Sequence, residues 1–151
     1  MMGALIGLLL PNACQRNNVS IAIQQDSGYR VIPFTTLKNY FVRNDVMKSI
    51  ESKIETPEKF EEIFGMATTM GQEGKPTEID FSQQFVIAVV LPETDTTTTL
   101  YPLNLKKDTS GKLTLQYHVE RGTRQSFTTR PFFAVAVSKS DNGPLLLQEQ
   151  K

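Results

Sequence analysis

Two uninterrupted apolar runs constrain the fold of this chain more than any other feature of its sequence. Residues 85–91 and 132–137 contain no polar side chain and are rich in Val, Ala and Phe. Runs of this length and composition are typical of strands that are covered on both faces. The sequence therefore predicts two central strands, with another layer of structure on each side of their sheet.

Shorter patterns predict further strands around this centre. Apolar and polar residues alternate over residues 113–119, which indicates a strand with one buried and one solvated face. The other predicted strands are residues 34–42, 53–54, 99–105 and 145–149, and an edge strand at 124–129 in which only Phe127 points inward. Turns or loops are predicted at residues 92–98, 108–111, 121–123 and 141–144.

One segment has the marks of an α-helix. Thr56 is a good N-cap, and Pro57 suits the first helical position, where its missing N–H costs no hydrogen bond. An apolar stripe at helical spacing follows, formed by Phe60, Ile63, Phe64 and Ala67. We expect a helix over about residues 57–66 whose stripe packs on the sheet. The alternative is a stripe that binds a partner.

The order of these elements predicts an α+β fold. Closely spaced hairpins favour a mainly antiparallel sheet that curls toward a small barrel or sandwich, with the one short helix packed on it. The predicted domain covers residues 31–151, since 151 residues leave room for one domain of ordinary size.

The N-terminal segment predicts where the protein resides. Residues 1–10 are apolar and uncharged, too short for a membrane span of about 20 residues but of the length found inside signal peptides. Ala13 directly before Cys14, the only cysteine, is similar to a bacterial lipobox. We expect a signal segment at residues 1–14, a lipid on Cys14 and a tether at residues 15–30. The alternative is a buried N-terminal strand or helix with a free thiol.

This interpretation predicts a location in the cell envelope, at the periplasmic face or on the outer surface of the outer membrane. The lipid on Cys14 would be the only contact with the membrane. The polar loop predicted at residues 92–98 contains Asp95, Thr96 and Thr97, which resemble an O-glycosylation site of exported bacterial proteins and make Thr96 the candidate residue. A polar loop that runs into a strand explains the same residues.

Composition excludes several classes of function. The 16 basic and 16 acidic residues cancel, so the chain lacks the overall positive charge of a nucleic-acid-binding protein. One Cys and one His cannot form a disulfide framework or a zinc site. His118 falls on the polar face of its strand, and Asp80 of the Glu78–Asp80 pair is expected to pin the loop before the first apolar run. We therefore predict no catalytic residue, metal or cofactor.

Charge is distributed unevenly along the chain. Residues 51–95 carry ten acidic and three basic side chains, whereas residues 99–139 carry seven basic and two acidic ones. Such poles can steer association with a charged partner. The candidate partner-binding residues form two clusters beside the predicted turns: Lys106, Lys107 and Lys112, then Arg121 and Arg124. The alternatives are that the two poles face each other within the fold, or that both are solvated surfaces.

The order of several short motifs resembles a known family. The sequence PTEIDF at residues 76–81 precedes the first apolar run, FEEIF at 60–64 lies in the predicted helix, and TTRPFF at 128–133 begins the second run. Over residues 77–139 this order is similar to the C-terminal domain of the protease-complex subunit PrcB family, and more closely to lipoproteins of Gram-negative gut bacteria. The Gly-Gly-Tyr sequence frequent in that family is replaced by TTLY at residues 98–101. The resemblance implies an accessory protein without catalytic residues that binds or stabilises an exported protease.

Together these features predict a non-enzymatic lipoprotein that acts as a protein-binding or protease-accessory module. Its expected partner is an exported protease or another envelope protein. The alternative is a surface lipoprotein that binds carbohydrate or a small ligand. That function would need exposed aromatic residues in a groove, and the candidates are Tyr29, Tyr101 and Tyr117, of which alternation makes the last two core-like.

Overall fold

A computed structural model describes residues 28–151. Over this range the chain forms ten strands: β1 (Tyr29–Ile32), β2 (Thr35–Thr36), β3 (Tyr40–Val42), β4 (Ile50–Ile54), β5 (Phe64–Met66), β6 (Gln84–Val90), β7 (Thr94–Asp108), β8 (Leu113–Thr129), β9 (Phe132–Ser138) and β10 (Leu145–Gln150). Helix α1 (Pro57–Ile63) lies between β4 and β5, and short 3-10 helices cover Gln72–Gly74 and Lys139–Asp141. The predicted signal segment, Cys14 and most of the predicted tether lie outside the described residues.

Two four-stranded sheets are the main layers of the fold. The outer sheet has the order β1-β7-β8-β10, and the central sheet has the order β2-β9-β6-β4. A two-strand ribbon of β3 and β5 completes the strand pairing. All pairs are antiparallel except β10, which runs parallel to β8. Neither sheet closes into a barrel, so the predicted α+β fold is confirmed as a sandwich-like arrangement.

One long ribbon connects the two sheets. β6 pairs with β9 in the central sheet, and the chain segments that continue from them, β7 and β8, pair in the outer sheet. Between the two layers the Leu91 amide donates a hydrogen bond of 2.9 Å to the carbonyl of Pro131. The pairing therefore carries on while the ribbon folds over itself, which stacks its two halves face to face.

Two hydrophobic cores cover the central strands from both sides, as the apolar runs predict. The first lies between the sheets and includes Phe85, Ile87 and Val89 of β6 against Leu105 and Leu115 of the outer sheet. The second lies on the opposite face of the central sheet, where side chains from α1 and the β3–β5 ribbon cover it. The central sheet is thus the middle layer of three.

Helix α1 begins as predicted and ends earlier. The Thr56 side chain accepts a 3.3 Å hydrogen bond from the Lys59 amide, and Pro57 is the first helical residue. The helix ends at Ile63 because the backbone of Phe64 is extended and continues as β5, where Phe64 pairs with Val42 of β3. The prediction of a helix to about residue 66 was therefore too long by three residues.

Several strand predictions were also wrong in their limits. Residues 34–42 form two strands and not one, because Asn39 adopts a positive φ of 62° and its side-chain amide donates to the carbonyls of Glu73 and Lys75. The predicted loop at residues 92–98 is mostly strand, since β7 begins at Thr94. No turn occurs at residues 121–123, because β8 continues through them to Thr129.

The end of β8 departs most from the alternating pattern. Thr94 pairs with Thr129, whereas Thr96 pairs with Arg124, so residues 125–128 bulge out of the ladder. Phe127 lies in this bulge and is 61% exposed, which makes the prediction of an inward Phe127 wrong. Side chains hold the bulge against β7, including a Thr128 hydroxyl that donates to Glu93.

Candidate functional site

An apolar groove beside helix α1 is the candidate functional site. Its volume is about 570 Å³. Helix α1 and β5 form one wall, and residues 75–81, which lead toward β6, form the other. The lining residues are Tyr40, Pro57, Phe60, Glu61, Phe64, Met66, Lys75, Pro76, Thr77, Glu78, Ile79 and Phe81.

Hydrogen bonds between the start of β3 and the second wall fix the width of the groove. The Tyr40 hydroxyl donates to the carbonyl of Thr77 at 2.6 Å, and the Thr77 amide donates to the carbonyl of Lys38 at 3.2 Å. The Lys38 amide in turn donates to the Thr77 hydroxyl at 3.0 Å. These bonds attach residues 75–81 to the folded body, so the groove is formed before any ligand arrives.

Aromatic rings line the bottom of the groove. The Phe60 ring lies 5.2 Å from that of Tyr40 in an edge-on arrangement, 4.9 Å from that of Phe64 and 5.8 Å from that of Phe81. Phe60 and Phe64 are buried, whereas Met66 at the rim is 69% exposed. Rings at these separations attract one another beyond the effect of burial, and they hold a fixed apolar surface.

The rim of the groove is mainly acidic. Glu61 and Glu78 line it from opposite walls, and Lys75 is the basic residue among the lining side chains. On α1 itself, Lys59 forms an ion pair of 3.0 Å with Glu62. Glu58 and Glu61 of the helix form no ion pair with the rest of residues 28–151 at the 4.0 Å limit, so negative charge remains beside the apolar surface.

Tyr40 keeps its proton in this environment. Burial raises the pKa of its phenol, and the negative charge of Glu78 raises that pKa further. The hydroxyl therefore stays neutral over the physiological range and continues to donate its hydrogen bond to Thr77. Tyr40 thus holds the groove in place and supplies no reactive group.

The first predicted basic cluster lies far from the groove, at the turn between β7 and β8. The Lys106 ammonium lies 4.3 Å from the ring centroid of Tyr29, a cation–π arrangement. The Lys107 ammonium donates a 3.2 Å hydrogen bond to the carbonyl of Asn142. Lys112 is exposed beside the turn. Two of these three lysines are thus already engaged within the fold.

The second predicted cluster is separate from the first. Lys112 and Arg121 are nine positions apart on extended chain, or about 30 Å. Arg121 lies 3.6 Å from the Glu149 carboxylate, and Arg124 forms a 2.6 Å ion pair with Asp95. The Arg124–Asp95 pair joins the predicted basic and acidic poles within one hairpin.

The remaining predicted residues are positioned as follows. Thr96 is half-buried on β7 opposite Arg124, in a strand and not in the predicted loop. One ring nitrogen of His118 lies 3.0 Å from the carbonyl of Gln150. Asp80 pins its loop as predicted, because its carboxylate accepts bonds from the amide and the hydroxyl of Ser82 at 2.9 and 2.5 Å. Tyr101 is 44% exposed, so the prediction that it is core-like was wrong.

Sequence reasoning did not find the groove. Phe60 and Phe64 were assigned to the helix stripe, and the structure confirms that they pack inward. The second wall comes from a segment with no regular structure, in which Ile79 and Phe81 flank Asp80. That apolar spacing is a signal of partial burial, but nothing in the sequence places it beside α1 and β3.

Comparison of the chain with family models, with curated proteins and with solved structures gave no match. The resemblance to the PrcB family therefore remains a prediction. Within residues 28–151 no helix is both long and apolar enough to cross a bilayer. The same residues contain no cluster of three or more His, Cys, Asp or Glu side chains that could hold a metal ion.

Proposed function

We propose that this protein is a non-enzymatic lipoprotein of the cell envelope that binds another protein, with the groove beside α1 as the binding site. The observation that carries this proposal is a preformed apolar groove with an acidic rim. Its volume of about 570 Å³ lies in the range of known ligand sites, about 300–1,000 Å³. Aromatic residues held by fixed neighbours are the kind of surface on which binding energy concentrates.

The chemistry of the groove indicates the kind of segment it binds. An apolar side chain would fill the space above Phe60 and Ile79, and Lys or Arg residues beside it would meet Glu61 and Glu78. Opposite charges at the rim raise the association rate and exclude acidic competitors. The partner we propose is an exported protease, or another envelope protein, that presents such an apolar and basic segment.

Carbohydrate binding is the second candidate function, and the exposed Tyr101 favours it. Tyr101 and Tyr29 both lie on the solvent-facing side of the outer sheet. Tyr29 pairs with Asp108, which is seven residues from Tyr101 along β7, a distance of about 20 Å. Two rings so far apart cannot stack on one sugar ring, so the groove supports protein binding better.

A peptide-display selection tests the proposed chemistry. The full-length protein in detergent is the bait, and a variant with Glu61→Lys and Glu78→Lys is the matched control. We expect the wild type to enrich peptides with an aliphatic or aromatic residue next to Lys or Arg, and the variant to lose the preference for basic neighbours. Enrichment of the same peptides by both proteins, or of none by the wild type, would contradict the proposal.

A further inference from the structure

The last strand of the outer sheet has a free edge that is unlike the other sheet edges. Within residues 28–151 no strand pairs with the side of β10 that faces away from β8. The other edges carry features that discourage pairing: β1 has four residues and is followed by Pro33, β2 has two residues, and β4 bears Glu51 and Lys53. β10 has six residues and contains no Pro, Lys or Arg.

The hydrogen bonding of β10 shows which of its backbone groups are available. The Leu113 amide donates to the carbonyl of Pro144 at 2.7 Å, so in the parallel ladder Pro144, Leu146, Gln148 and Gln150 direct their backbone groups toward β8. The amides and carbonyls of Leu145, Leu147 and Glu149 therefore point away from the sheet. These three residues are spaced symmetrically about Leu147.

We propose that β10 pairs antiparallel with β10 of a second copy of this chain, about a two-fold axis at Leu147. This register places Leu147 opposite its own copy and Leu145 opposite Glu149, so all three outward residues are paired. Antiparallel pairs of this kind exchange two bonds each, which gives about six new hydrogen bonds. The outer sheets of the two copies then form one continuous sheet.

Charge favours the same arrangement. Lys53 and Lys107 both donate to residues just before β10, Lys53 to Asn142 and Gly143 and Lys107 to Asn142, so the start of this strand is basic. Its end carries Glu149, whose partner Arg121 is 3.6 Å away and more than half exposed. Antiparallel pairing puts the basic start of one strand beside the acidic end of the other, whereas parallel pairing would place like ends together.

Disulfide cross-linking in the cell envelope tests this dimer with the full chain. In the proposed register the Cα atoms of the two Leu147 residues are about 5.5 Å apart, within the range of about 4.4–6.8 Å that a disulfide spans. Leu146→Cys is the matched control, because its Cα atoms would be more than about 7 Å apart. We expect oxidation to join Leu147→Cys copies several-fold more than Leu146→Cys copies, and wild type, which retains Cys14, not at all.

A second substitution separates this edge from other surfaces. Glu149→Pro removes an amide that the β8 ladder does not use, and proline is tolerated on an edge whose N–H faces outward. Added to Leu147→Cys, it should abolish cross-linking, whereas Glu149→Ala should preserve it. If Leu147→Cys folds poorly, coexpression of Leu145→Cys with Glu149→Cys tests the same register. Equal cross-linking of Leu146→Cys and Leu147→Cys, no cross-linking of either pair, or cross-linking that survives Glu149→Pro would overturn the proposal.

Discussion

Replacing Phe64 with alanine should cost much of the stability of the domain. Its side chain is 3% exposed, and its ring lies 4.9 Å from that of Phe60 and 5.4 Å from that of Phe132. Removing a buried Phe side chain leaves a cavity and lowers the free energy of unfolding by about 3–5 kcal/mol. For a domain of this size each kcal/mol lowers the melting temperature by about 3–5 °C, so we expect a decrease of about 10–20 °C.

Phe41→Ala is the matched control, one strand away. Phe41 lies opposite Gly65 on the solvent side of the β3–β5 ribbon and is 44% exposed. Its loss removes a cross-strand contact worth about 1 kcal/mol or less. Thermal unfolding followed by circular dichroism measures both variants. If Phe64→Ala melts within a few degrees of the wild type, or no lower than Phe41→Ala, the second core is not packed as described.

The other predictions concern the anchor, the basic residues and a turn. Cys14→Ala should abolish metabolic labelling with a palmitate analogue, and equal labelling of wild type and variant would refute the lipid anchor. The double variant Lys106→Glu, Lys107→Glu should slow association with an acidic partner at low salt, with a smaller effect near 0.15 M where the screening length is about 8 Å; an unchanged low-salt rate would show that this cluster only contacts solvent. Hydrogen bonds from Ser110 and Lys112 lower the pKa of Asp108, so its contribution is complete above the ordinary carboxylate pKa and is lost as pH falls through the lowered value. Wild type should therefore melt above Asp108→Ala at neutral pH and converge with it in acid, and a constant gap would count against this role.

Local patterns predicted the parts of the fold that depend on neighbours in sequence. The apolar runs became β6 and β9 because both of their faces are covered. The turn after β7 was predictable because Asp108 accepts hydrogen bonds from Ser110, and Gly111 supplies the positive φ of 89° that the turn requires. The start of α1 depended only on Thr56 and Pro57.

Features that depend on distant residues were not predictable in this way. The helix ends early because Phe64 and Met66 pair with β3, which lies more than twenty residues earlier in the chain. The turn predicted at residues 121–123 is absent because Thr98 and Thr99 continue the ladder opposite Arg121 and Glu120. Phe127 looked inward by alternation, and the bulge reverses that pattern.

The groove illustrates the same limit for function. Its walls come from β3, α1 and residues 75–81, and the hydrogen bond from Tyr40 to Thr77 that joins them spans 37 positions. Charge counts along the chain drew attention to the basic pole, yet the structure pairs Arg124 with Asp95 and engages Lys107 with Asn142. The acidic residues beside α1 retain more unpaired charge than the basic ones.

Photo-crosslinking in the native envelope tests protein binding at the groove most directly. Benzoylphenylalanine replaces Met66, which lines the groove and is 69% exposed, or Thr109 at the β7–β8 turn as a control on an exposed surface elsewhere. We predict that irradiation yields a discrete adduct with another envelope protein from position 66 and none from position 109. The absence of an adduct at position 66, or the same adduct from both positions, would contradict the account.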